Sequence, residues 1–276
     1  MDRATISNPP DLQTLSMEVD GEIGTLTLNR PDSLNAMSPE MIFELGVAAA
    51  WLADSAPLRA LVVTGAGDRA FSSGGDVNVF KQGVDDPEID LPSSVRRGAD
   101  MLHVAIVDFR RIPYPVIGAV NGVAAGAGFS LALMCDMRIA STNAAFACVY
   151  GRIGASPDGG MTYFLPRVVG PDRALQLLLN DPMLSADQAL ELGIVSKVVA
   201  PEDLQAEALA KAEKLAAKAP HYVRMAKLLV GQSLSNSLTE HLQLERHGIA
   251  DSMATADLRE GVTAFFEGRE PRFTGD

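Results

Sequence analysis

Chemistry can gather in this chain at three clusters of small and polar residues: Ser73-Gly74-Gly75-Asp76, Gly126-Ala127-Gly128 and Pro157-Asp158-Gly159-Gly160. A strand that enters a helix through such residues leaves backbone N–H groups uncovered at the helix start. Those groups bind anionic oxygen, either a phosphate or an oxyanion. Each cluster alone is ordinary turn punctuation. The second stands out because it interrupts an uncharged stretch, Ile112 to Cys135, bounded by Arg110, Arg111 and Asp136. Within that stretch Pro115–Val120 reads as a short buried strand, Asn121-Gly122 as a turn and Phe129–Cys135 as an apolar helix.

Several chemistries are excluded at once. Gly126-x-Gly128-x-x-Leu131 lacks the third glycine of a dinucleotide fingerprint, and no acidic residue ends a strand about twenty positions on. There is no GK[ST] for a phosphate loop and no G-x-S-x-G for a hydrolase serine. His103, His221, His241 and His247 lie on helical stretches without metal-ligand spacing and read as surface or interface residues.

The elements that must position the clusters follow from pattern. Leu15–Val19, Asp20-Gly21 and Ile23–Leu28 form a hairpin after a loose tail over residues 1–12. Ser38-Pro39-Glu40 opens a helix with Ile42, Leu45, Ala49 and Leu52 inward. Arg59–Thr64 is a buried strand, and Val77–Lys81 a helical turn. The acidic Gln82–Ser94, with two prolines, reads as a mobile loop before a helix at Val95–Arg110. Met137–Ala140, Ala145–Ala147 and Ile194–Val199 are extended, whereas Gly159–Leu165, Asp172–Leu179 and Ser185–Leu192 are helical. Beyond Pro201 helical spacing prevails, so an α/β region to about residue 199 precedes a helical one over 200–276.

At 276 residues, 47% hydrophobic and 21% charged, the chain has the composition of an ordinary globular protein. A net charge of −12 argues against nucleic-acid binding through a basic face. Cys135 and Cys148 read as buried reduced thiols, and the amino terminus lacks the apolar core of a signal peptide, so a cytoplasmic setting is expected. Prolines, Asn121 and glycines break the uncharged stretch, which argues against a membrane span.

Taken together, the clusters resemble one family. Asn29-Arg30-Pro31 with Leu34-Asn35-Ala36 is similar to its N-R-P-x-x-x-N-A loop, and Ala70–Asp76 to its A-F-[CS]-[AS]-G-x-D. Pro115–Asp136 follows P-V-I-A-A-V-N-G-x-A-x-G-x-G-x-x-L-A-x-x-C-D nearly throughout. Leu190–Val195 and Phe266–Phe273 fit its ending. The family is the crotonase, or enoyl-CoA hydratase/isomerase, superfamily, and the resemblance covers residues 15 to 274. It implies an α/β fold, a spiral of β-β-α turns carrying the acyl-CoA site over residues 1–199. Residues 200–276 would then be a helical region that packs trimers, often paired into hexamers. It further implies an acyl-CoA thioester as ligand, with no cofactor beyond the coenzyme A carried by the substrate, and neither nucleic acid nor membrane as partner. The thioester oxygen would take the N–H groups of Gly75 and Ala127, an arrangement suited to the charge built up on enolisation. Ala36, Ser73, Asp76 and Val77 would border the coenzyme. Arg30 would meet a phosphate or remain a solvated loop charge.

The departures carry the most information. Enoyl-CoA hydratases of this family carry two catalytic glutamates, at the positions held here by Ser130 and Tyr150. Family members that shift double bonds place an acid at or near Asp158, and dehalogenases use a nearby Asp as nucleophile. Asp158 is therefore expected to be a base in allylic isomerisation, unless it only caps a helix starting at Gly159. Tyr150 either donates a hydrogen bond, bounds the acyl pocket or packs, and Ser130 is a small polar filler. The alternatives are a hydratase with an atypical site and a non-catalytic CoA-binding member.

Overall fold

The computed structural model describes residues 8–276, and residues 1–7 of the expected tail lie outside the described residues. The hairpin forms as its alternation requires: β1 (Leu15–Asp20) pairs antiparallel with β2 (Ile23–Leu28), from Leu15–Leu28 to Asp20–Ile23. Gly21, at φ +59°, supplies the left-handed residue that a two-residue turn needs. Helix α1 (Pro39–Asp54) starts at Ser38, whose hydroxyl accepts the Met41 N–H at 3.2 Å. Its buried face is Met41, Leu45, Ala48, Ala49 and Leu52, while Ile42 is only half-buried. The face is turned from the expected one because Glu44 also points inward.

From β3 (Ala60–Gly65) the chain repeats one unit: a strand of a large sheet, a short strand of a small sheet, then a helical connection. β3 is followed by β4 (Ala70–Ser72), β5 (Val116–Val120) by β6 (Val123–Ala125), and β7 (Met137–Ser141) by β8 (Ala145–Ala147). β9 (Leu184–Ser185) and β10 (Lys197–Val199) close the series in reverse order. The large sheet runs β1-β2-β3-β5-β7-β10 and the small one β4-β6-β8-β9. The expected spiral of β-β-α turns is therefore present. The small-sheet strands hold only two or three residues each. That length carries too little alternation to separate β6 from a turn in the sequence.

Two helices replace the loop expected at Gln82–Ser94. α2 (Val77–Asp85) and α3 (Leu91–Arg111) leave only residues 86–90 between them. Pro92 sits in the first turn of α3, where a missing N–H costs nothing, and Asp90 caps that turn through the Ser93 N–H at 3.2 Å. The proline thus marks a helix start. The remaining helices are α4 (Ala127–Met134), α5 (Met161–Val169), α6 (Pro171–Asn180), α7 (Ala186–Glu191), α8 (Leu204–Ala216), α9 (Pro220–Gln232), α10 (Leu238–Ser252) and α11 (Ala256–Glu267). β10 is half the extended piece expected, because Ile194 and Val195 enter the core before it.

Side chains of the central strands alternate between two cores. Leu61, Val63, Val116 and Val120 join the larger one with Met41, Leu45, Phe109 and Phe129. Ala60, Val62, Ile117, Ala119 and Ile139 meet Leu204, Ala208 and Ala212 of α8. A parallel sheet must be covered on both faces, and α8, although it follows residue 200, supplies the second cover. Lys227 of α9 is tied to the same body. Its ammonium lies 2.6 Å from Asp136 and donates to the Tyr114 carbonyl at 2.7 Å.

Glu44 fastens the start of the hairpin to α1. Its carboxylate accepts the Gln13 and Thr14 N–H groups and the Thr14 hydroxyl at 2.6–2.8 Å, and the Leu15 N–H at 3.2 Å. Burial alone would raise its pKa, but the Thr14 hydroxyl and the three amides outweigh it and hold it below 4.5. Because the folded pKa is lowered, this stabilisation is complete above about pH 4.5 and fades as pH falls through the folded value. Glu44→Gln should cost about 2–3 kcal/mol in urea unfolding at pH 7, since one of the two accepting oxygens becomes an NH2 set against buried donors and the charge assistance is lost. That difference should shrink on acidification below the ordinary carboxylate range.

Candidate active site

The first two clusters meet because the short strands that precede them pair. β4 lies parallel to β6 with Ser72 opposite Ala124, so residues 73–76 and 126–128 leave the small sheet side by side. Two glycines permit the contact. A Cβ on Gly74, at φ +94°, would lie 2.7 Å from the Ala125 carbonyl oxygen and 3.2 Å from the Ala127 nitrogen. A Cβ on Gly128 would lie 2.2 Å from the Ser72 carbonyl oxygen. No side chain fits at either place.

This packing leaves the amides of Gly75 and Ala127 free on neighbouring segments. Met37 and Gly75 form an isolated parallel bridge, in which the Met37 N–H donates to Gly74 O at 2.8 Å and the Asp76 N–H to Met37 O at 3.2 Å. Such a bridge uses the neighbours of Gly75 and turns its own N–H to the other side. Ala127 is the first residue of α4, where an N–H has no helical partner. Among the described residues neither the Gly75 nor the Ala127 N–H has a hydrogen-bond partner. Two unpaired amides on abutting segments can bind an oxygen that carries negative charge.

Side chains from the preceding loop hold the first of these segments. Asn35, fully buried and at φ +53°, accepts the Arg30 N–H at 2.9 Å and donates to Ala66 O and Ala70 O at 3.0 and 2.8 Å. Its own carbonyl accepts the Ser72 hydroxyl at 2.8 Å, and Ser72 in turn accepts the Gly74 N–H at 3.2 Å. Asn35 and Ser72 were legible only as motif letters. Arg30 is not a free charge. Its guanidinium donates to Ala36 O at 2.6 Å and to Asp76 at 3.2 Å, keeping about a quarter of the side chain exposed. Asp76 also caps α2 by accepting the Asn78 N–H at 3.2 Å, which leaves Val77 exposed on the same rim. The Ser73 N–H is taken by Leu34 O at 3.0 Å. Arg30, Ala36, Ser73, Gly75, Asp76 and Val77 therefore line one edge.

The third cluster arrives from the other side of α4. A Cβ on Gly159 would lie 3.3 Å from Ser130 Cβ and 3.7 Å from Ala127 Cα, so residues 158–159 rest on the first turn of the helix. Asp158 does not cap a helix with its side chain. α5 begins later, at Met161, whose N–H goes to the backbone carbonyl of Asp158 at 3.0 Å. The carboxylate instead accepts the Tyr150 hydroxyl at 3.2 Å. The Tyr150 and Ser130 hydroxyls also reach the Asp158 carbonyl oxygen, at 3.1 and 3.2 Å, and lie 3.4 Å from each other. Ser130, Tyr150 and Asp158 thus form one hydrogen-bonded group next to Ala127.

The electrostatics follow from this placement. Asp158 is an exposed residue on the rim, but the protein atoms packed about its carboxylate desolvate it enough to raise its pKa above 3.8. The Tyr150 hydroxyl and the His103 imidazole of α3 oppose the rise without cancelling it. Burial also pushes the Tyr150 hydroxyl above its ordinary value. His103 is exposed, as a surface residue should be, and no spacing rule links positions 103 and 158. A separate cavity of about 380 Å³ beside Leu58, Tyr114, Leu215 and Val223 contains no carboxylate and none of these groups.

A scan against family models matches residues 18–276 to Enoyl-CoA hydratase/isomerase. A 1,2-epoxyphenylacetyl-CoA isomerase of Escherichia coli is 39% identical, over 96% of this chain and 99% of that protein. A crotonyl-CoA hydratase of Syntrophomonas wolfei is 33% identical, over 95% and 98%. The crystal structure of an enoyl-CoA hydratase from Bacillus anthracis superposes with a TM-score of 0.88 at 32% identity, over 96% of this chain and 100% of that one. Among the described residues no helix is long and apolar enough to cross a membrane. With the spiral, the abutting amides and these matches in agreement, the chain belongs to the enoyl-CoA hydratase/isomerase family, the crotonase superfamily.

Proposed function

We propose that the protein moves a double bond within an enoyl-CoA thioester, with Asp158 as the only carboxylate that handles the proton. The reading rests on one observation: hydroxyls, not acids, occupy positions 130 and 150, and both are hydrogen-bonded to Asp158. The thioester oxygen accepts the N–H groups of Gly75 and Ala127. Asp158 as carboxylate takes a proton from carbon 2 of a 3-enoyl group, and the electron pair spreads into a dienolate whose charge rests on that oxygen. The acid then returns the proton at carbon 4, giving the 2-enoyl isomer. One carboxylate suffices because the proton only changes carbon. Each fixed amide is worth on the order of 3 kcal/mol to the enolate, since it need not reorganise. A base with a raised pKa suits a weak carbon acid better than an ordinary aspartate does.

The other assignments follow from the rim. Tyr150 donates to the Asp158 carboxylate and holds it, and Ser130 fills the space where a second acid would stand. Arg30, Ala36, Ser73, Asp76 and Val77 border the coenzyme, and no cofactor enters beyond it. The enzyme works in the cytoplasm as a trimer or a pair of trimers. The apolar surface of the last helices and of the turn before α10 supports that assembly: Leu234, Leu238, Phe265 and Phe266 are 70–83% exposed. Light scattering should give three or six times the 29.2 kDa chain mass.

The name of the Escherichia coli relative supports isomerisation, and the crotonyl-CoA hydratase supports water addition as a second reading. Purified protein given a 3-enoyl-CoA and crotonyl-CoA separates the two. Asp158→Asn should lower isomerisation at least about 100-fold while the protein stays folded. Water addition that is lost on the same change, without isomerisation in the parent, would establish the hydratase. Binding of both thioesters without turnover would mark a non-catalytic member.

The pH profile has a definite sign. The base must be ionised, so kcat/KM should rise with pH through an acid limb above 3.8. Tyr150→Phe removes a hydrogen bond that favours the carboxylate and should move that limb upward.

A further inference from the structure

We infer that Asp181 is a positioning residue that aims the Tyr150 hydroxyl at Asp158, an inference that rests on the roles assigned above to those two groups. The residue before Tyr150 has an unusual backbone. Val149 sits at φ +56°, ψ −9°, a left-handed conformation that a β-branched residue adopts only when its surroundings enforce it. The conformation reverses the chain after β8 and swings Tyr150 over Gly126. A Cβ on Gly126 would lie 3.3 Å from Val149 Cγ2 and 3.9 Å from Tyr150 Cζ.

Asp181 is what holds that reversal. It caps the carboxy-terminal end of α6, and its side chain is only 12% exposed. One carboxylate oxygen accepts the Val149 N–H at 2.7 Å, and the other accepts Arg152 Nε at 2.6 Å. Arg152 also donates to the Asp181 carbonyl at 3.0 Å. A single carboxylate therefore grips the chain on both sides of Tyr150, one residue before it and two residues after it. Asp181 makes no hydrogen bond to Gly75, Ala127 or Asp158, so any influence on the reaction passes through Tyr150. A partly buried, charge-assisted pair of this kind is among the stronger polar contacts a turn can have.

The test combines a mutant cycle with a titration. Asp181→Ala should lower kcat on a 3-enoyl-CoA about tenfold with little change in KM, because misplacing one group in a prepared site carries that scale of penalty. In a Tyr150→Phe background the same change should cost nothing further. Asp181→Asn keeps an acceptor for the Val149 N–H and should retain most of the activity. If the alanine variant does not fold, the asparagine variant is run through the same cycle, with a smaller loss expected that again vanishes in the Tyr150→Phe background. Carbon-13 NMR titration of Asp158, whose charged and polar neighbours are Tyr150 and His103, needs no turnover. Loss of the Tyr150 contact should raise the Asp158 pKa in the Asp181 variant as it does in Tyr150→Phe. Equal costs in both backgrounds together with an unmoved Asp158 titration would overturn the proposal. Full activity in Tyr150→Phe, with the titration still shifted by the Asp181 change, would instead reject the catalytic part of Tyr150 and leave the positioning intact.

Discussion

The site depends on how closely two backbones approach at the ends of β4 and β6. Without side chains at Gly74 and Gly128, the Ser72 carbonyl and the Ala125–Ala127 segment come into direct contact. That contact fixes which amides are spent and which remain. Met37 takes the pairing groups on one side of Gly75, and Ala147 takes the N–H of Gly126. The N–H groups of Gly75 and Ala127 stay unspent among the described residues. Because they are backbone groups in an over-determined fold, they need little reorganisation when charge appears beside them, which is where such sites gain their strength.

A protein with a net charge of −12 gains nothing from its overall field when it stabilises an anion. The compensation has to be local, and here it comes from dipoles in place of cations. The guanidinium at the rim, Arg30, is already committed to Asp76 and the Ala36 carbonyl. That pairing keeps residues 30–36 and 73–76 in register and leaves the oxyanion position to the amides. The same economy shapes the acid. Asp158 has no cationic side chain hydrogen-bonded to it, only a tyrosine hydroxyl, so desolvation prevails and its pKa rises.

Much of this was legible in the chain. The hairpin, the start of α1 at Ser38, the central strand and the apolar α4 follow from alternation, capping and turn residues. The resemblance supplied the spiral and the pairing of positions 75 and 127, which no local rule connects. Pro92 looked like a loop residue because proline at a helix start and proline in a loop are written alike. Strands of three residues, such as β6, are made by their neighbours and leave almost no pattern of their own. Asp181 was invisible for a different reason: its partners Val149 and Arg152 lie about thirty residues back along the chain, and only the fold brings them near.

The substitutions at 130 and 150 also constrain each other. A serine at 130 is short enough for Gly159 to rest against it, which brings the Asp158 carbonyl within 3.2 Å of the serine hydroxyl. Tyr150 reaches the same carbonyl and also the carboxylate, with its hydroxyl beside that of Ser130. With both hydroxyls turned toward residue 158, the polar capacity of the pocket converges on one carboxylate, in place of two acids arranged around a water. The strained Val149 and its anchor at Asp181 belong to the same geometry, because a tyrosine can close on residue 158 from this strand only after the chain has reversed.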